Sequence, residues 1–171
     1  MKVYHIVKNE LQFAVGDIIQ PKTYNLDNMD SKKRQIEKEL EKIRMKDFPD
    51  YPSRLNCLFV CHDLDDVEFW AIQKSDIRGR IFKILTLETS EPVFWFSAES
   101  YNMHYNGYGT DLHQACMEFW KSNCNIGIEK LEDCEGITNG SAQIVEIQRA
   151  RVSREGGLEI IAREKIINNR K

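Results

Sequence analysis

Four groups of side chains in this 171-residue sequence are able to do chemistry. They are Tyr4 and His5 in "VYHIV", Ser53, Arg54 and Asn56 in "PSRLN", the aromatic stretch "YNMHYNGYGTD" from Tyr101, and the acidic residues Glu132, Asp133 and Glu135 in "KLEDCEG". A guanidinium offers a planar fork of donors to an anion, and a fixed carboxylate steadies developing positive charge. An arginine and an asparagine at the mouth of a hydrophobic strand are rarely needed for stability alone. Each residue also has a plainer reading. His5 alternates with valines as a hydrogen-bonded core histidine would, Arg54 has Asp47 and Asp50 close by to pair with, and Glu135 fits a solvent-facing strand position.

Other chemistries are disfavoured by spacing. The glycines form no dinucleotide fingerprint, P-loop or nucleophile elbow at a strand-to-helix turn. "CLFVCH" brings Cys57, Cys61 and His62 together without the two-residue gap of a zinc knuckle and without a second half, so no metal is expected. Five cysteines, mostly inside apolar runs, read as reduced core thiols.

The elements that must position these residues follow from periodicity. "VYHIV" alternates as a strand, and "GDIIQP" breaks it. "SKKRQIEKELEKIRMKDF" puts Ile36, Leu40 and Ile43 at helical spacing behind a cap at Asp30 or Ser31, with Glu37 among the charges of the other faces. Pro49 and Pro52 end that helix and lead into the strand "NCLFVC". "HDLDDVEFWAIQK" predicts a second helix, and "DLHQACMEFWKS", capped by Thr110 or Asp111, a third. Strands are expected at "RIFKILTLE", "EPVFWFSAE", "IEKLEDCEGI", "SAQIVEIQRARV" and "LEIIAREKII", with Tyr101 to Asp111 as a loop. Three helices and about six strands without regular alternation predict an α+β fold in one domain, residues 1–171.

Composition agrees with a folded domain: 42% hydrophobic and 30% charged residues, with a net charge of −3 that gives no general basic excess for nucleic acid. The N-terminus has neither a signal-peptide core nor a membrane span, which predicts a cytoplasmic protein with no membrane partner.

In this order, "YHIV", "IRMKDFPDYPSRLNCLFV", "DLDDVEFWA", "RIFKILTLE" with "EPVFWFSAES", "QACMEFWKS" and the acidic strand before "NGSAQIVEI" resemble the ADP-ribosyltransferase superfamily, in particular its small bacterial and phage domains. The likeness covers about three quarters of the chain. It implies a split, mostly antiparallel sheet with flanking helices and NAD as the cofactor-like substrate, with no metal. His5 beside Tyr4 would meet an NAD ribose, Arg54 with Ser53 and Asn56 would anchor the dinucleotide, and Tyr101 or Tyr105 would stack on nicotinamide. Glu135 would be the catalytic glutamate, with Glu132 and Glu159 as alternatives. The resemblance further implies mono-ADP-ribosyl transfer to a protein, RNA or DNA acceptor by a toxin or phage-defence effector restrained by an antitoxin. A binding module of the same fold and an NAD glycohydrolase are the alternatives. The chain departs from the family's Glu-X-Glu and Gln-X-Glu pairs, having Asp133 two residues before Glu135, and it lacks the His-Tyr-Glu order of polymerising enzymes. These departures argue against arginine-directed transfer and chain elongation.

Overall fold

Strand alternation and helical stripes organise two sheets with helices, an α+β architecture in which every registered strand pair is antiparallel. The structure is a computed structural model that describes residues 1–74, 79–109, 111–123, 133–153 and 156–165. Its chain divides into two units, Met1–Gln20 with Val60–Glu91 and Ser141–Lys171, and Pro21–Phe59 with Pro92–Gly140. Among the described residues no helix is long and apolar enough to cross a membrane.

The first unit is built on β1 (Lys2–Lys8), β2 (Ile18–Ile19), β5 (Phe82–Glu88), β8 (Ala142–Val152) and β9 (Leu158–Lys165). The order is β1-β5-β8-β2, and β9 also pairs with β8. β8 therefore has β5 along one edge and shares the other between β2, at Ala142 and Gln143, and β9, from Glu146 to Val152. The "GDIIQP" stretch does more than break a strand, because Ile18 and Ile19 add a short strand to β8. Helix α2 (Leu64–Gln73) is capped by Asp63, whose side chain accepts from the Asp66 amide. Its Val67 and Ala71, flanked by Leu64 and Trp70, pack on Ile6, Phe82, Ile84 and Ala150. Full burial of such aliphatic and aromatic side chains is worth roughly 1.5–3 kcal/mol each.

The second unit holds β3 (Lys22–Thr23), β4 (Asn56–Val60), β6 (Phe94–Ser97) and β7 (Cys134–Thr138) in the order β3-β4-β7-β6. Helix α1 (Ser31–Asp47) starts at Asp30, whose carboxylate accepts from the Lys33 amide at 2.9 Å. It buries Ile36, Leu40 and Ile43 as its spacing predicts. Helix α4 (Leu112–Lys121), capped by Asp111, buries Ala115, Cys116, Phe119 and Trp120. The Trp120 indole donates to the Leu40 carbonyl at 2.9 Å, which ties α4 to α1. Phe96, Phe119 and Trp120 interlock as rings with centroids 5.0–5.2 Å apart.

The stretch expected to be a loop from Tyr101 instead begins as helix α3 (Glu99–Tyr105). Tyr101 and Tyr105, four apart, stack at 6.5 Å on one side of it, a helical signal that two tyrosines alone carry weakly. The helix stops at Gly107, at φ +84°, where the Gly107 amide donates to His104 and the Tyr108 amide to Met103. Those two bonds form the glycine stop that a left-handed residue permits. The described residues thus hold four α-helices, a 3-10 turn at Leu26–Asn28 and nine strands, more than the three helices and six strands expected. Of the strand expected at "IEKLEDCEGI", β7 begins at Cys134, while residues 128–132 lie outside the described ones.

Candidate functional site

Arg54 is the centre of the site, and a tight turn delivers it. The Ser53 carbonyl accepts from the Asn56 amide at 3.1 Å, and the Ser53 hydroxyl accepts from the Leu55 amide at 3.2 Å while donating to Glu41 at 2.8 Å. This local bonding is the serine's usual way of setting a turn. The guanidinium then points inward, with only 7% of the side chain exposed.

Two carboxylates from different elements meet it. Glu37 on α1 takes both Nε and Nη2 of Arg54, each at 3.1 Å, a two-point contact that fixes the plane of the guanidinium. Glu135 on β7 accepts from Nη1. Three rings enclose the guanidinium, with its central carbon 5.0 Å from Phe59, 5.1 Å from Tyr101 and 4.9 Å from Phe119. Glu135 pairs in register with Phe96 on β6, and Phe96 stacks on Phe119, so sheet register brings carboxylate and ring wall together.

The electrostatics follow from this enclosure. Burial alone would depress the Arg54 guanidinium, but the charge and hydrogen bonds of Glu37 more than reverse that and hold it above its usual range. Burial pushes the Tyr101 hydroxyl well above the usual phenol range, and the negative charge of Glu37 adds to the effect. The Tyr101 hydroxyl donates to Glu37 at 3.4 Å. Nearby, the Tyr24 phenol is raised to about 12 by burial and by Cys57, against the opposing pull of Arg54.

Three of the expected site residues, Arg54, Tyr101 and Glu135, therefore share one cluster. Arg54 does not pair with Asp47 or Asp50. Its partners come from 17 and 81 residues away. Ser53 and Asn56 line a recess of about 490 Å³ with Arg44, Tyr51 and Phe94. Tyr4 and His5 stand half-buried on β1 of the first unit. Tyr105 stacks on Tyr101 and donates to Asp30 at 3.3 Å. Of the alternative glutamates, Glu159 lies on β9 of the first unit and accepts from Arg151 at 2.7 Å, and Glu132 lies outside the described residues. The Cys57 thiol donates to the Arg54 carbonyl at 3.4 Å.

Glu37 is the residue that sequence reasoning missed. Its position follows from helical arithmetic: at about 100° per residue it lies roughly 60° from Leu40 and roughly 100° from Ile36, on the edge of the buried stripe. Glu41 and Arg44 lie on the same flank, and Arg44 holds Glu41 through Nε at 3.0 Å and Nη2 at 2.8 Å.

The fold and site define an α+β protein with a buried arginine shared by two glutamates, one sealed and one closer to solvent. Residues 8–150 match the family described as protein of unknown function (DUF2441), and the chain belongs to that family. No curated protein matches it.

Proposed function

We propose that this protein is an NAD-dependent mono-ADP-ribosyltransferase that modifies a macromolecular acceptor. One observation carries the reading. Arg54, Tyr101 and Glu135, from three separate stretches of the sequence, meet around the Arg54 guanidinium. Cleavage of the nicotinamide-ribose bond sends its electron pair to the nicotinamide nitrogen and leaves oxocarbenium character on the ribose. A fixed carboxylate such as Glu135 stabilises that charge, and the acceptor atom then bonds to the sugar and loses its proton. Ser53 and Asn56 line an open recess with Arg44, beside rather than within the Arg54 cluster, and the reading gives this recess part of the dinucleotide. Under this reading the acceptor is a protein or nucleic acid, and the protein is a cytoplasmic toxin or phage-defence effector with a restraining antitoxin.

A second reading is a non-catalytic binding module of the same fold. It is favoured by the near-complete burial of Arg54 and by the commitment of its Nε and Nη2 to Glu37, which leave little of the fork for a ligand.

Incubation with labelled NAD in cell extract separates the two. Transfer of label by the wild type and loss of at least about a hundredfold in Glu135→Gln supports the enzyme. Nicotinamide release without a labelled acceptor indicates a glycohydrolase. NAD binding with neither product indicates the module.

A further inference from the structure

We propose that Glu37 is the positioning residue of this site: it clamps the Arg54 guanidinium in one plane and so aims Nη1 at Glu135, the less buried of its two carboxylate partners. The inference rests on the transferase reading for its catalytic consequence, but its geometry stands apart from that reading.

The two carboxylates are not equivalent. Glu37 is 4% exposed and uses both oxygens, Oε2 for Arg54 Nε and Oε1 for Arg54 Nη2 and the Tyr101 hydroxyl. Glu135 is 14% exposed and meets the guanidinium through one oxygen, Oε1. A two-point, in-plane contact fixes orientation, whereas a one-point contact leaves the carboxylate able to turn. Glu37 is thus the holding partner and Glu135 the presented one. Glu37 also sits on a 17-residue helix anchored by Ile36, Leu40 and Ile43, a rigid base for a positioning group.

Stability alone is a poor account of such a cluster. Buried ion pairs are often replaceable by apolar residues of similar volume without loss, whereas a fixed polar geometry is what a reacting carboxylate needs. Two carboxylates on one guanidinium also leave it more than neutralised. Among the described residues, the ion pair that Glu135 makes is with this already matched arginine. Glu37 therefore keeps Arg54 from quenching Glu135, and the charge of Glu135 remains to oppose positive charge developing on a bound sugar.

The test compares Glu37→Gln with Glu135→Gln in two readouts. The first is hydrogen exchange of the Arg54 Nε proton by nitrogen-15 NMR, assigned with Arg54→Lys. Glu135→Gln should leave that proton protected, while Glu37→Gln should speed its exchange by about tenfold or more, since the bond from Nε goes to Glu37. Equal behaviour of the two variants overturns the proposal, whether or not the protein is an enzyme. The second readout is nicotinamide release. Glu37→Gln should lower kcat by about ten- to a hundredfold, as small misplacements of reacting groups do, and change KM by less than about threefold. An unchanged kcat, or a loss confined to KM, overturns the positioning role. If the wild type releases no nicotinamide, the transferase reading fails and the exchange comparison alone decides the clamp. Should Glu37→Gln not fold, Glu37→Asp takes its place, with its carboxylate drawn back by one methylene.

Discussion

Replacing the buried Arg54 with methionine should destabilise the protein far more than replacing the more exposed Arg44. The substitution keeps an unbranched apolar chain against Phe59, Tyr101 and Phe119 but removes the cation that Glu37 and Glu135 share. Breaking a buried ion pair by deleting one partner costs about 3–5 kcal/mol, because a desolvated charge is left behind. Here two are left. Since a domain is stable by only about 5–15 kcal/mol, this is a large fraction of the total. Arg44→Met offers the comparison. Its pair with Glu41 is part-buried, at 15% and 20%, so a stranded Glu41 keeps some contact with water. Urea unfolding followed by tryptophan fluorescence should therefore show a midpoint about 2 M lower for Arg54→Met and a smaller shift for Arg44→Met. Adding Glu37→Leu and Glu135→Leu should recover most of the loss, as apolar replacement of whole buried ion clusters does. A cost below about 1 kcal/mol for Arg54→Met would refute the claim that the cluster is desolvated.

Three further outcomes are expected. The Arg44 and Ser53 hydrogen bonds outweigh burial and hold Glu41 below the usual carboxylate range. Its contribution to stability is then present above the unfolded value near pH 4.3 and lost as pH falls through the lower folded value, so Glu41→Gln should flatten the acid limb of the stability curve. Burial pushes the Cys57 and Cys116 thiols up to about 12. Peptide mapping after alkylation at pH 8 should find both unlabelled in the native state and labelled once denatured, and native labelling at the rate of a free thiol would contradict their burial. Asp133 holds a left-handed φ of +51° before β7 and accepts from Asn102 at 3.0 Å. Asp133→Ala should cost roughly 1–2 kcal/mol in thermal or urea unfolding, and Asp133→Gly less, because glycine accepts that backbone without strain.

Much of the architecture was legible because period and caps agree. Ile36, Leu40 and Ile43 with Asp30 gave α1, and Cys116, Phe119 and Trp120 with Asp111 gave α4. Helix α3 was not, since its Tyr101 and Tyr105 pair is too short a pattern to outweigh the glycines and asparagines around it. At the site, Arg54, Tyr101 and Glu135 stand out in the sequence as separate candidates, but nothing there joins them, and the aspartates that neighbour Arg54 in sequence are not its partners. Side-chain pairing over 81 residues is set by the adjacency of β4 and β7, and no local pattern records it. Glu37 was hidden differently, because a charge on the rim of an apolar stripe looks the same whether it faces water or a buried guanidinium.

The position of β7 between β4 and β6 has a consequence for a chain emerging from the ribosome. β4 ends at Val60 and β7 begins at Cys134, so at about 5–20 residues per second the nascent β4 waits some 4–15 seconds for its neighbour. In the other sheet, β5 and β2 likewise wait for β8, which follows β7. Both sheets are closed by strands made after Asp133, and Glu135 travels on one of those closing strands. Under the transferase reading, an incomplete polypeptide has open strand edges but no assembled carboxylate, so the ribosome-bound protein is vulnerable to aggregation before it can be active.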